Sequence, residues 1–284
     1  MTWRETIAKS AAFLESKNVP DSQSAAEWLA ARLLDVGRGL LYASLEKEVK
    51  PAFLDAMRRA LARLAKGEPL QYVLGEWGFR TLVLSCDKRA LIPRPETEGL
   101  VSLALKFLSN RPSCPFVVDV GTGTGAIILS IAAEFKGEAV FLGTDISADA
   151  IKLAKENAER CGLSDKVKFA ISDGLDEFDE PQSVDAIISN PPYVTTAEWR
   201  GLEARVRDFE PRLALDGGES GLEFYERYLA DSMNLLKPGG GVFFEIGESQ
   251  GPALKSMMEA YGFSSIKIEK DLAGLDRYAT GILP

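Results

Sequence analysis

The chain has 284 residues, 46% of them hydrophobic, enough for one medium domain and a small one. It contains no histidine, which excludes Ser-His-Asp and Cys-His catalysis and every His-ligated metal site. The net charge of −9 is uneven: residues 1–75 hold 11 Lys and Arg against 9 Asp and Glu and the remainder 22 against 33, a poor match for a nucleic-acid phosphate backbone.

Met1-Thr2-Trp3-Arg4-Glu5 carries no apolar stretch or cleavage site, so no secretory leader is expected. No run approaches the roughly 18 apolar residues of a membrane span. A helix is predicted from about Thr2 to Ser16, breaking at Asn18-Val19-Pro20. A second opens at an Asp21 cap, places Ala26, Leu29, Ala30, Leu33 and Leu34 on one face and ends near Gly37. A third has Pro51 in its first turn, repeats Leu54, Met57, Leu61 and Leu64, and stops at Gly67. Residues 1–75 therefore read as a small helical domain, either a stabilising cap or a docking surface for a macromolecular substrate.

Over residues 76–92 the period changes. Phe79, Leu82 and Leu84 sit among short polar residues, and Asp87-Lys88-Arg89 turns the chain into Ala90-Leu91-Ile92, which predicts a β-hairpin linker. From 93 to 284, after a helix from about Thr97 to Leu108, short apolar strands alternate with helices. Strands are predicted at Phe116–Val120, Ala139–Thr144, Val167–Ile171, Val184–Ser189, Gly241–Ile246, Ser265–Glu269 and Tyr278–Leu283. Helices are predicted near Ala126–Phe135, Ala148–Cys161, Leu222–Leu236 and Pro252–Tyr261. Such interleaving predicts an α/β fold with a doubly wound parallel sheet. Cys86, Cys114 and Cys161 are odd in number and far apart, which fits a reducing cytoplasm better than a disulfide framework or a metal cage.

Two segments carry chemistry. The first strand ends in Asp119-Val120-Gly121-Thr122-Gly123-Thr124-Gly125-Ala126, where glycines let the backbone bend and approach a ligand at the carboxyl edge of the sheet. Asp145 ends the second strand, placed to accept hydrogen bonds from two ribose hydroxyls. Thus far a nicotinamide enzyme and a methyltransferase are both allowed. Three features separate them: three alternating glycines preceded by an acid, Ser172-Asp173-Gly174 after the third strand, and the tetrapeptide Asn190-Pro191-Pro192-Tyr193 after the fourth. Proline restricts the residue before it to extended backbone, so the tetrapeptide forms a stiff arch. The Asn190 side-chain oxygen and the Pro191 carbonyl then accept both protons of a planar –NH₂ group, with the Tyr193 ring expected to stack over it.

On these residues the chain resembles the class I amino-methyltransferases, a group that includes DNA adenine and protein glutamine methyltransferases. Four further segments resemble the peptide chain release factor glutamine methyltransferase family: Gly67-Glu68-Pro69-Leu70-Gln71-Tyr72; Leu91-Ile92-Pro93-Arg94-Pro95-Glu96-Thr97-Glu98; Glu210-Pro211-Arg212-Leu213-Ala214-Leu215-Asp216-Gly217-Gly218; and Glu245-Ile246-Gly247 with Gln250-Gly251. The likeness runs in order from about residue 67 to 284, behind a helical domain of the right size.

The resemblance implies a Rossmann-like methyltransferase sheet and transfer of a methyl group from S-adenosyl-L-methionine to the glutamine side-chain amide of a Gly-Gly-Gln motif in release factors, leaving S-adenosyl-L-homocysteine. It implies cofactor binding by Gly121, Thr122, Gly123, Thr124, Gly125, Asp145, Asp173, Gly174 and Asn190. Catalysis falls to Asn190, Pro191 and Tyr193, and substrate binding to Asn190, Pro191, Pro192 and Tyr193. Some relatives carry an aromatic residue where Gly174 stands, so a neighbour such as Leu175 is expected on the adenine. In this fold the region Pro93-Arg94-Pro95-Glu96-Thr97 can fold over the methionine end of the cofactor, so Thr97 is read either there or as capping its helix together with Glu98. No metal, membrane contact or stable nucleic-acid binding is expected, and a cytoplasmic monomer is. Alternative readings are an adenine-amino methyltransferase of DNA or RNA, a glutamine methyltransferase of a ribosomal protein, and an idle nucleoside-binding scaffold.

Overall fold

The computed structural model describes residues 1–111 and 114–284. The chain divides into two compact units, Met1–Glu76 with Glu203–Phe209, and Trp77–Leu202 with Glu210–Pro284.

Helices α1 (Trp3–Ser16), α2 (Ser22–Leu34), α3 (Pro51–Leu64) and α4 (Leu70–Leu74) form the first unit, with a 3₁₀ turn at Arg38–Ser44. Helix α1 starts on a capping box, because the Thr2 hydroxyl accepts from the Glu5 N–H while the Glu5 carboxylate accepts from the Thr2 N–H. Asp21 does not cap α2 as the sequence suggested. Its backbone is left-handed at φ 50°, and its side chain makes no capping bond. Trp3, Leu14, Leu29, Leu41, Met57 and Leu64 fill the centre.

The second unit opens with a hairpin of β1 (Glu76–Phe79) and β2 (Leu82–Ser85), followed by α5 (Thr97–Leu108), β3 (Phe116–Val120), α6 (Ala126–Glu134), β4 (Val140–Asp145), α7 (Ala148–Arg160), β5 (Val167–Ile171) and β6 (Val184–Ser189). Short helix α8 (Thr196–Gly201) follows in this unit, α9 (Ala204–Arg207) belongs to the first unit, and α10 (Glu223–Leu235), β7 (Leu236–Glu245), α11 (Gly251–Ala260), β8 (Ser264–Lys270) and β9 (Asp276–Ile282) complete the second. Seven strands make one sheet in the order β5-β4-β3-β6-β7-β9-β8. The first five are parallel, but β9 runs antiparallel to both β7 and β8. Five residues between β8 and β9 are too few for a crossover, so the last two strands close as a hairpin, where the sequence suggested a parallel continuation.

One face of the sheet packs on α5 and α6 through Leu100, Ala104, Ile128 and Ile131; the other packs on α10 and α11 through Tyr225, Leu229, Leu254 and Met258. The strand order reverses between β3 and β6, and there Val120 is the register partner of Ser189. The loops after these two strands therefore leave the sheet side by side, at the crevice where open α/β sheets bind ligands. Among the described residues no helix is long and apolar enough to cross a membrane.

Candidate active site

The turn from β3 into α6 is braced from within the core. Asp119 is fully buried and accepts the Thr122 hydroxyl at 2.6 Å. Burial pushes its carboxyl up to about 7, opposed by the bonds from Thr122 and the Ile128 N–H. The Thr122 N–H donates to the Thr144 carbonyl at 2.8 Å, and Gly121, Gly123 and Gly125 all take positive φ. Asp145, at the end of β4, completes the loop: its Oδ2 accepts the Gly123 N–H and its Oδ1 the Ser147 N–H, each at 2.9 Å. Burial raises the Asp145 carboxyl, and the two N–H bonds counter that rise. Each oxygen, having accepted one bond, keeps a lone pair.

A cavity of about 420 Å³ opens in front of this loop, within the usual size of a small-molecule site. Gly121, Thr122, Gly123, Thr124, Asp145, Asp173, Gly174, Asn190 and Pro192 line it, so most of the residues singled out in the sequence come together; Gly125, Pro191 and Tyr193 do not line it. Leu175 is no adenine platform, because it points into the core at 2% exposure. The wall beside Gly174 comes instead from Phe224, Arg227 and Tyr228 on α10. Tyr228 Cε1 stands 3.0 Å from where a Cβ on Gly174 would sit, filling the space a side chain there would need. Arg227 binds the Asp173 carboxylate at 2.7 Å and its carbonyl at 2.6 Å, tying α10 to the loop after β5. Sequence reasoning missed these three residues. Their i, i+3, i+4 spacing was visible, but any helix packed on a core shows the same pattern.

The arch after β6 is held on several sides. Tyr193 donates no side-chain bond to the cavity; its carbonyl accepts from Gln250 Nε2 at 3.2 Å, and the same nitrogen reaches the Gly221 carbonyl at 3.0 Å. The Tyr193 ring, expected over the reacting group, packs against the core cluster around Tyr225 and Phe244. Its hydroxyl is pushed up to about 12, first by burial and then by the Glu245 charge. Residue 217 must be glycine for a steric reason, because a Cβ there would stand 2.5 Å from the Pro192 carbonyl oxygen. Asp216 anchors this neighbouring segment by accepting from the Thr196 hydroxyl at 2.7 Å and pairing with Arg212 at 2.6 Å. Glu210, 4% exposed, accepts the Ile92 N–H at 3.1 Å and pairs with Arg94 at 2.5 Å. The separated segments noted in the sequence are thus one another's supports.

Asn190 itself joins a buried chain. Its Nδ2 donates to the Thr97 hydroxyl at 3.3 Å, and Thr97 donates to Glu245 Oε2 at 2.6 Å. Thr97 is consequently the first residue of α5 with its hydroxyl turned inward, and no side chain caps that helix. A nucleoside-sized cavity, an acidic side chain with spare lone pairs and an asparagine at its rim can bind a ribose and orient a planar nitrogen.

The sequence matches the PrmC N-terminal domain over residues 5–75 and a methyltransferase domain over residues 116–259. It is 36% identical over 281 residues to the release factor glutamine methyltransferase of Geobacter sulfurreducens, covering 99% of this chain and 96% of that one. With the protein of the same name from Moorella thermoacetica it shares 38% identity over 278 residues, 98% of this chain and 97% of the other. Among solved structures it is similar in fold to the hMettl16 catalytic domain in complex with MAT2A 3′UTR hairpin 6, with a TM-score of 0.57, 18% identity and 82% of each chain covered. A methyltransferase from Pyrococcus furiosus gives a TM-score of 0.50 at 19% identity over 71% of this chain and 88% of that one. Near-complete coverage at such identity, together with both domains, establishes that the chain belongs to the release factor glutamine methyltransferase family.

Proposed function

We propose that the cavity binds S-adenosyl-L-methionine and that the chain methylates the side-chain amide nitrogen of the glutamine in the Gly-Gly-Gln motif of a release factor. One observation carries this reading: Asn190 lies on the wall of the nucleoside-sized cavity with its Nδ2 engaged from behind by Thr97, leaving Oδ1 as an acceptor. The donor set fits the cofactor, since the lone pairs of Asp145 suit the two ribose hydroxyls and Phe224 and Tyr228 offer flat apolar surface beside Gly174. When bound, the cofactor supplies a methyl group on a positively charged sulfonium.

A carboxamide nitrogen is a weak nucleophile because its lone pair is delocalised into the carbonyl. Asn190 Oδ1, on the cavity wall, accepts one of its N–H bonds, raises electron density on nitrogen and fixes its approach, while Pro191, off the wall, stiffens the arch that presents it. Such positioning contributes about 7–11 kcal/mol where reacting atoms are held in line. Tyr193, off the cavity wall, anchors the arch through its carbonyl and its packed ring. A glutamine side chain alone cannot distinguish one protein from another, so residues 1–75 are assigned to docking the folded substrate. Names of the relatives support this reading over adenine methylation. Mass spectrometry of release factor incubated with the chain and S-adenosylmethionine tests it: one methyl group on the Gly-Gly-Gln peptide is expected. Substitution Arg59→Glu on the exposed face of α3 tests the docking role, with a raised KM and unchanged kcat as the expected result.

A further inference from the structure

We propose that Thr97 and Glu245 are positioning residues that decide which end of the Asn190 carboxamide faces the reacting amide. The proposal rests on the reading above, in which Asn190 meets the substrate nitrogen.

The two ends of a carboxamide are nearly equal in size and opposite in hydrogen bonding. With Oδ1 forward, Asn190 accepts from a substrate –NH₂; with Nδ2 forward, donors face donors. Nothing within Asn190 chooses between these states, and the protein chooses from behind. Thr97 Oγ1 donates its one hydrogen to Glu245 Oε2 at 2.6 Å, so toward Asn190 it can only accept, and it accepts from Nδ2 at 3.3 Å. The Glu245 carboxylate, when ionised, accepts and cannot donate, so it holds the Thr97 hydrogen away from Asn190. That constraint turns Nδ2 inward. The three side chains come from the start of α5, the end of β6 and the end of β7, and Thr97 and Glu245 are 5% and 1% exposed. A buried carboxylate is costly even when a hydroxyl donates to it, so its presence behind Asn190 calls for a role.

The arrangement is sensitive to protonation of Glu245. Once protonated, Glu245 donates to Thr97, which turns its own hydrogen toward Asn190 and favours the reversed carboxamide. Burial pushes the Glu245 carboxyl up to about 7, opposed by the Thr97 bond and the Arg277 charge on β9 and reinforced by Glu96 ahead of α5. Tyr193, Tyr225 on α10 and Tyr278 on β9 feel its charge, each held protonated by burial; the Tyr225 hydroxyl donates to the Glu245 backbone carbonyl at 2.8 Å and the Tyr278 hydroxyl to the Glu96 carbonyl at 2.6 Å. The folded-state pKa is raised, so the ionised relay is complete above about pH 7 and is lost as pH falls through that value.

The test measures kcat and KM for release factor methylation by the full-length chain, cofactor affinity by calorimetry and the melting temperature. It compares wild type with Thr97→Val, Thr97→Ser and Glu245→Gln. Thr97→Val keeps the shape of the side chain and removes the hydroxyl; kcat is expected to fall about tenfold to a hundredfold with cofactor affinity held. Thr97→Ser should restore most of that loss. Wild-type kcat should drop on the acid side near pH 7, and Glu245→Gln should abolish that limb. Thr97→Val turning over at the wild-type rate with the wild-type pH profile overturns the proposal alone. So does a loss that follows the melting temperature and is not rescued by Ser. A wild-type chain that leaves release factor unmodified overturns the functional reading and this proposal with it.

Discussion

Removing the Asp145 carboxylate gives the most direct measure of the cofactor pocket. The side chain is largely buried and holds the Gly123 and Ser147 N–H groups at 2.9 Å, so its position is fixed before any ligand arrives. Two ribose hydroxyls donating to a charged acceptor contribute about 1.5–3 kcal/mol each, or about 3–6 kcal/mol together. Asp145→Ala also leaves those two N–H groups facing the cavity, where water can partner them, which favours the lower figure. A loss of about 3 kcal/mol weakens binding roughly a hundredfold. Asp145→Asn keeps the shape but replaces one acceptor oxygen by an amide that confronts one of the N–H donors, so a loss of about tenfold is expected. Isothermal titration with S-adenosylhomocysteine measures both, with thermal melting to confirm folding. Binding by Asp145→Ala within about threefold of wild type would remove the carboxylate from ribose recognition.

Asn190→Ala should retain most cofactor affinity yet abolish methylation, read by calorimetry and by mass spectrometry of the release factor. Asn190→Asp keeps acceptors but puts a charge beside the sulfonium, stabilising the ground state over the transition state, so kcat should fall with affinity kept or improved. Gly217→Ala should destabilise by about 1–3 kcal/mol in denaturant melts and slow turnover, because its Cβ meets the Pro192 carbonyl at 2.5 Å. Asp119→Asn tests the buried acid under the loop. Its folded-state pKa of about 7 lies above the ordinary carboxylate value of 3.8, so wild type loses stability as pH rises toward and through 7. The melting temperature of Asp119→Asn relative to wild type should therefore climb between about pH 4 and 7 and level off above, and a flat difference would show that Asp119 is not protonated in that range.

Local patterns already determined much of this molecule. Short apolar runs such as Val184–Ser189 between amphipathic helices specify buried parallel strands, and the structure places that strand at the same residues. The alternating glycines after Asp119 and the Asn190-Pro191-Pro192-Tyr193 arch were legible for the same reason: glycine and proline act on their own backbone, whatever surrounds them. Other features depend on partners distant in sequence. The antiparallel β9 follows from a five-residue connection whose outcome is visible only once β7 offers an edge. Phe224, Arg227 and Tyr228 became cavity residues only when α10 packed beside Gly174, and Tyr193 left the cavity because the core around Tyr225 took its ring. Thr97 reads as a helix cap until folding brings it to Glu245, 148 positions away, and to Asn190, 93 positions away. Sequence alone determined the elements and the two chemical loops, because those are set by near neighbours; which side chains face the ligand, and which hold the ones that do, was decided by the packing of the sheet against its helices.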